Sequence, residues 1–197
     1  MPAPLRWEFE LVNDADDVVS VGVNGRLKRL GTGQAHTFSG HSSRVTMVLY
    51  RAPLASEFVS EGLRVQMMHM KRRHYPDKVW RDLGHIDVHG QALGTAMHQF
   101  KWLQRKLGTS IGRVPILLEV PLRRELALGA SDAVLVSDRI FEVAPLESAR
   151  RVHRLALARA LFTTVLRARL ECVENTRREQ TLDMLAFALA SEWDTDV

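Results

Sequence analysis

The chain has 197 residues, of which 46% are hydrophobic and 25% charged, and it contains twelve glycines, seven prolines and one cysteine. This size and apolar content predict one globular domain, with or without a small appendage, and exclude a disordered or collagen-like chain. The formal net charge is +4, and the single cysteine excludes both an intramolecular disulfide framework and a cysteine-rich zinc module.

The N-terminal third of the sequence predicts antiparallel β structure. Residues 5–12 alternate apolar and polar side chains, and Asn24-Gly25 is typical of a tight hairpin turn between two strand-like runs. Two further strand-like runs occur before residue 70, separated by a segment rich in turn residues. We therefore expect four or more short strands in a β-rich region that covers residues 1–84.

The next part of the sequence predicts a helix followed by two strands. Asp87 is a suitable N-terminal cap for a helix that runs to Leu107, with apolar residues on one face and Gly108 just past its end. Residues 113–120 form a continuous apolar run, which is typical of a strand covered on both faces. Residues 132–141 predict a second strand.

Two long helices are predicted after these strands. Pro145 suits the first position of a helix that continues to about Leu170. Thr176 and Glu179 form a capping box for another helix, which carries apolar residues on one face and ends near Trp193.

Together these elements predict an α+β fold. An antiparallel, β-rich N-terminal region (1–84) is expected to pack on a mixed, mainly helical region (85–197). The two regions form either separate parts or one continuous domain.

The basic residues fall into two separated blocks. Of the 27 basic residues 22 are arginine, a bias that nucleic-acid-binding proteins share with any protein from a GC-rich genome. Segments 61–113 and 148–178 each carry a net charge of +6. The arginines of the predicted helix after Pro145 project in different directions, which favours pairing with neighbouring groups over tracking of phosphates. The candidate contacts for a polyanion or a partner are Arg72, Arg73, Arg150 and Arg151.

Histidines crowd into one segment of thirty residues and predict a metal site as one alternative. They are His69, His74, His85, His89 and His98. Zinc takes three nitrogen or oxygen ligands from fixed elements and keeps a fourth position open to water. In a strand, His85, Asp87 and His89 would share one face and suit a metal. With Asp87 as a helix cap the two histidines do not form the pair of a helical zinc site, and this second interpretation also accounts for the helical periodicity downstream.

The sequence contains no motif for nucleophilic catalysis or phosphate binding. It lacks a G-x-S-x-G elbow and the glycine spacings of the P-loop and the dinucleotide fold. Cys172 lies in a helix-like apolar run, where a buried and inert thiol is expected. We therefore predict no catalytic residue and no cofactor.

The order of elements from residue 90 to residue 192 resembles the catalytic domain of gluzincin metallopeptidases of the M1 aminopeptidase type. Residues 99–122 resemble the lead-in helix and buried strand of that domain, residues 128–141 its edge strand, and residues 150–162 its zinc-binding helix. The resemblance implies a thermolysin-like C-terminal part. It also implies that the β-rich first part corresponds to a piece of the N-terminal β domain of that family.

The zinc-binding motif of this family is not retained intact here. His153 matches the first histidine of H-E-x-x-H, but Arg154 stands at the position of the catalytic glutamate and Leu157 at that of the second histidine. Residues 129–133 match the family's G-x-M-E-N segment without the glutamate that binds a substrate's amino terminus. A lone histidine cannot hold zinc, and an adjacent arginine repels the cation.

The leading hypothesis is therefore a non-catalytic, metallopeptidase-like module that serves as a binding or scaffold protein in a bacterial assembly. Its partner would be another protein or further copies of itself. Two alternatives stay open: a metal-dependent hydrolase that uses His85, Asp87 and His89, and a nucleic-acid-binding protein that uses segments 61–113 and 148–178. Because the sequence has neither a long apolar run nor a signal-peptide pattern, we expect a cytoplasmic protein without a membrane span.

Overall fold

The computed structural model describes most of the chain in nine stretches. These are residues 6–24, 26–41, 45–51, 53–70, 88–109, 114–130, 132–140, 147–169 and 176–196. The strands within them are β1 (Arg6–Val12), β2 (Val19–Val23), β3 (Arg26–Leu30), β4 (Ala35–His41), β5 (Met47–Arg51), β6 (Leu54–Ser60), β7 (Leu63–His69), β8 (Ile116–Val120), β9 (Ala127–Gly129) and β10 (Ala133–Ser137). The helices are α1 (Val88–Leu107), α2 (Glu147–Arg169) and α3 (Thr176–Asp196).

Two small antiparallel sheets form the front of the molecule. β1 pairs with β4, and β2 lies between β3 and β5. A small apolar core joins the two sheets: Val21 and Phe38 belong to one buried cluster, and the Phe38 ring stacks on Phe9 with centroids 5.6 Å apart. The predicted hairpin is confirmed by the pairing of β2 with β3, where Asn24 has a φ of 45°. Gly25 itself lies outside the described residues.

A five-stranded sheet in the order β6-β7-β8-β10-β9 forms the centre of the molecule. β7, β8 and β10 run parallel, while the outer strands β6 and β9 are antiparallel to their neighbours. β8 is buried along nearly its whole length, which confirms the strand predicted from the apolar run 113–120. The sheet takes strands from both sides of the boundary predicted after residue 84. Since residues 71–87 lie outside the described part, that boundary stays a prediction.

The side chains of the central sheet pack against a different layer on each face. On one face, Val65, Leu117 and Val134 join the three helices in the main core. On the other face, Leu118 belongs to a second core with Tyr50 of β5. The helices, the central sheet and the front sheets therefore stack as successive layers, which confirms the predicted α+β class.

The three predicted helices are all present. α1 ends where the sequence indicates, and Gly108 has a φ of 62°, as a glycine just past a helix end requires. Asp87, the predicted cap, lies outside the described residues. The ends of α2 and α3 agree with the predicted ones to within three residues. None of the described helices combines the length and the apolar character that crossing a membrane requires.

The segment 128–141, which resembles an edge strand, contributes to two neighbouring strands of the central sheet. β9, which includes Leu128 and Gly129, forms the edge of that sheet, while β10 lies inside the sheet between β8 and β9. Ala133, Val134 and Val136 are fully buried because β10 is covered by the helices on one face and by the front sheets on the other. An apolar strand covered in this way belongs to the interior of a sheet.

Candidate functional site

The metal cluster predicted from the sequence lies only partly within the described residues. His85 and Asp87 fall outside them, so their convergence with His89 stays a prediction. His89 is in the first turn of α1, where the structure places it beside His69 and Glu119. We call the three residues His69, His89 and Glu119 the His–Glu cluster.

Three elements supply the His–Glu cluster. His69 is the last residue of β7, Glu119 is the fourth of the five residues of β8, and His89 is the second residue of α1. β7 and β8 are parallel neighbours, so their carboxyl ends lie at the same edge of the central sheet. This edge is where open sheets with parallel strands generally place their binding sites.

The His–Glu cluster is almost closed to solvent. His69 is 5% exposed and Glu119 6%, while the side chain of His89 is 16% exposed. His89 Nε2 lies 2.9 Å from Glu119 Oε2, and the two imidazole rings stack with their centroids 3.7 Å apart. One nitrogen or oxygen atom from each residue lies within 4.8 Å of the other two. Two imidazoles and one carboxylate thus converge at a site that is largely shielded from solvent.

Hydrogen bonds to neighbouring groups assign the tautomer of His69. Its Nδ1 lies 3.3 Å from the carbonyl oxygen of Met70, which can only accept, so Nδ1 carries the proton and donates. In the neutral ring Nε2 then has the lone pair and accepts from the Ser56 hydroxyl at 2.9 Å. The neutral His69 imidazole therefore keeps Nε2 as its basic nitrogen.

Tyr50 holds the carboxyl end of β8 from the front of the molecule. Its hydroxyl donates a hydrogen bond of 2.9 Å to the main-chain oxygen of Glu119. Burial, and to a smaller extent the charge of Glu119, raises the pKa of the Tyr50 hydroxyl well above its ordinary value. Tyr50 therefore stays protonated at physiological pH and serves as a hydrogen-bond donor.

The three residues that match the zinc motif do not form a metal site. Leu157 is fully buried in the main core, and His153 is 7% exposed. Burial lowers the pKa of the His153 imidazole, which keeps it neutral at pH 7. Arg154 pairs with Glu147 at 2.7 Å, and its main-chain oxygen accepts a hydrogen bond from the buried amide of Gln99. These three residues supply one possible ligand and one cation, so they do not fit a zinc ion.

The segment that matches G-x-M-E-N is held tightly against α2. A Cβ atom added at Gly129 would lie 2.6 Å from the main-chain oxygen of Ala160. Arg167 Nη1 donates to the main-chain oxygens of Gly129 and Ala130, at 3.1 and 3.3 Å. Ser131 lies outside the described residues. Gly129 therefore has a packing role at the contact between β9 and α2.

Most described basic side chains of the two basic segments are paired with carboxylates. The pairs are Arg64–Glu57, Lys101–Glu61, Lys106–Glu192, Arg151–Asp194, Arg154–Glu147, Arg159–Asp183 and Arg167–Glu179. Arg150 is half-buried on α2, and Arg72 and Arg73 lie outside the described residues. Four of the six arginines of α2 thus pair with carboxylates, in line with the pairing that their scattered directions favour.

Glu119 was not predicted from the sequence, and His69 was not among the residues selected for the metal site. Glu119 is a carboxylate near the end of a continuous apolar strand. Ionisable residues rarely occur at buried positions without a partner, so this placement was a signal in the sequence. The signal for His69 was its place at the end of a predicted strand. Combining them requires the pairing of β7 with β8, which the sequence does not indicate.

Comparison with known proteins gives distant structural likenesses only. No model of a known protein family matches the chain, and no curated protein matches it. Among solved structures, the chain is similar to an aminopeptidase N family protein from Idiomarina loihiensis, with 10% sequence identity and a TM-score of 0.48. The likeness covers 80% of this chain and 27% of that protein, so the chain spans little more than a quarter of its length.

Proposed function

We propose that this chain is a non-catalytic, metallopeptidase-like module that binds protein, either another protein or further copies of itself, in a cytoplasmic bacterial assembly. The observation that carries the proposal concerns position 157. Where a zinc helix of the resembled family has its second histidine, Leu157 is fully buried in the main core. Arg154 supplies a paired cation where that family has a catalytic base.

The pairing of the described arginines supports a protein partner over a nucleic acid. A surface that binds phosphates needs unpaired cations gathered on one face. Three arginines of α2 instead pair with carboxylates of α3: Arg151 with Asp194, Arg159 with Asp183 and Arg167 with Glu179. These charges therefore join two helices of the protein and are not available as one cationic surface.

Exposed apolar side chains on α3 provide a surface suited to a protein partner. Met184 is 73% exposed, Phe187 58% and Leu185 43%. We call these three residues the α3 patch. Large apolar side chains gathered on one exposed element are typical of surfaces that contact other proteins.

Peptide hydrolysis tests the non-catalytic part of the proposal. The purified chain with added zinc is expected to hydrolyse aminoacyl anilides and short peptides no faster than buffer does, because the motif positions provide one ligand and no base. His153→Gln is expected to behave in the same way. Zinc-dependent hydrolysis that His153→Gln abolishes would overturn the proposal.

Matched surface substitutions test the binding part. Met184→Asp and Phe187→Asp each place a charge in the α3 patch, and we expect at least a fivefold loss of self-association in sedimentation velocity, or of specific crosslinks to a partner in cells. Gln180→Asp adds the same charge to an exposed position one turn away and is expected to change neither. Equal losses in all three variants would count against the α3 patch. Salt-sensitive binding of single-stranded RNA or DNA would favour the nucleic-acid alternative.

A further inference from the structure

We infer that the His–Glu cluster is a binding site for a divalent cation of the zinc type. The inference goes beyond the proposed function, since the cluster lies on β7, β8 and the start of α1 and contains none of the motif positions of α2. Zinc takes imidazole nitrogens and carboxylate oxygens, and where the protein supplies three such ligands a water completes the fourth position. His69, His89 and Glu119 supply these three donors.

The burial of Glu119 supports a cation at this place. Its carboxylate is 6% exposed, and among the described residues its ion-pair partner is His89, with no lysine or arginine within ion-pair distance. A buried carboxylate is costly unless a positive charge or several hydrogen bonds compensate it. A divalent cation between Glu119 and the two imidazoles would supply that charge.

The distances within the cluster are close to those that a metal requires. Two ligands bound to a tetrahedral zinc at about 2.0–2.1 Å lie roughly 3.3 Å from each other. His89 Nε2 and Glu119 Oε2 are 2.9 Å apart, and the three donor atoms all lie within 4.8 Å of one another. Binding thus needs the donor atoms to approach by up to about 1.5 Å. The two stacked imidazole rings must also rotate, so that their lone pairs point at one cation. A bound cation would replace the hydrogen bond between His89 Nε2 and Glu119 Oε2, and the proton of that bond would leave to solvent.

The surroundings of His69 resemble the outer contacts of a metal ligand. Metal-binding histidines commonly donate the N–H of the other ring nitrogen to a backbone carbonyl, which fixes the ring and its tautomer. His69 Nδ1 makes this bond to Met70, and Nε2 keeps its lone pair. The Ser56 hydroxyl, now 2.9 Å from Nε2, would give up that hydrogen bond when the metal binds.

Metal titration of the purified full chain tests the inference. After removal of metals with a chelator and dialysis, we expect calorimetry with zinc chloride to give one site per chain. Cobalt(II) is expected to show the intense visible absorption of a tetrahedral complex. His69→Gln, His89→Gln and Glu119→Gln are each expected to weaken binding at least tenfold. Circular dichroism of each metal-free variant verifies that it is folded.

Two control variants separate a metal site from a purely structural network. His98→Gln changes an exposed histidine of α1, and Ser56→Ala removes the hydrogen bond to His69 while it leaves all three ligands in place. Both are expected to bind zinc within about threefold of the unmodified chain. No binding by the folded unmodified chain, or binding that survives Glu119→Gln and disappears in His153→Gln, would overturn the inference. Neither result depends on the peptide hydrolysis test, so the two proposals can fail separately.

Discussion

Replacement of Phe162 by alanine is expected to lower the free energy of unfolding by about 3–5 kcal/mol, the range for large-to-small changes of buried aromatic residues. Phe162 is fully buried in the middle of α2. Its ring stacks on Trp102 of α1 with centroids 5.7 Å apart, and Trp102 Nε1 donates to Asp196 of α3 at 3.0 Å. The substitution therefore opens a cavity where all three helices meet.

Urea unfolding followed by circular dichroism measures this loss. Phe187→Ala is the matched control, because it removes the same ring from a position on α3 that is 58% exposed. We expect this second change to lower the free energy of unfolding by no more than about 1 kcal/mol, the size of an exposed contact such as that of the Phe187 ring with Arg159. Similar losses in both variants would contradict the packing described for Phe162.

Replacement of Gly129 by alanine is expected to lower the free energy of unfolding by about 1–3 kcal/mol, as overpacking of a well-filled interior does. The added Cβ would lie 2.6 Å from the main-chain oxygen of Ala160, 2.9 Å from Thr164 Oγ1 and 3.0 Å from Thr163 Cβ. Rotation of a side chain cannot relieve the first of these contacts. β9 or α2 must therefore shift, which strains the bonds from Arg167 to this segment.

A second glycine provides the control for this experiment. Gly94 lies inside α1, and a Cβ added there would meet no atom within 4 Å. Gly94→Ala is expected to raise the free energy of unfolding by about 0.5–1 kcal/mol, because alanine favours a helix more than glycine does. Thermal and urea unfolding of the two variants should thus shift in opposite directions. A loss of stability in both would show that the close contact at Gly129 is not the cause.

Local signals in the sequence were enough to place most elements. The three helices follow from capping residues, a terminal glycine and apolar periodicity, all of which act within a few residues of each other. The continuous apolar run at 113–120 likewise indicates a buried strand. The exact place of β10 between β8 and β9 could not be predicted, because strand order depends on partners distant in the sequence. Apolar residues on both of its faces were a local sign of an interior strand.

The His–Glu cluster could not be predicted from the sequence for the same reason, because it depends on contacts between distant segments. His85, Asp87 and His89 attracted the metal interpretation because they are neighbours in the chain, whereas His69 and Glu119 are 50 residues apart. Only the parallel pairing of β7 with β8 brings their carboxyl ends together. Gly129 is a second example. In the sequence it belongs to a motif match, whereas in the structure the close approach of α2 accounts for a glycine at this position.

The parallel pairing of β7 with β8 also has a consequence during synthesis of the protein. Met67 pairs with Leu117, so the hairpin of β6 and β7 is complete 50 residues before its neighbour is made. At about 5–20 residues per second, this interval lasts roughly 3–10 s. Throughout this interval, the edge of β7 that later pairs with β8 offers unpaired N–H and C=O groups to any other nascent chain. Aggregation therefore competes with folding most directly during the interval between the synthesis of β7 and the synthesis of β8.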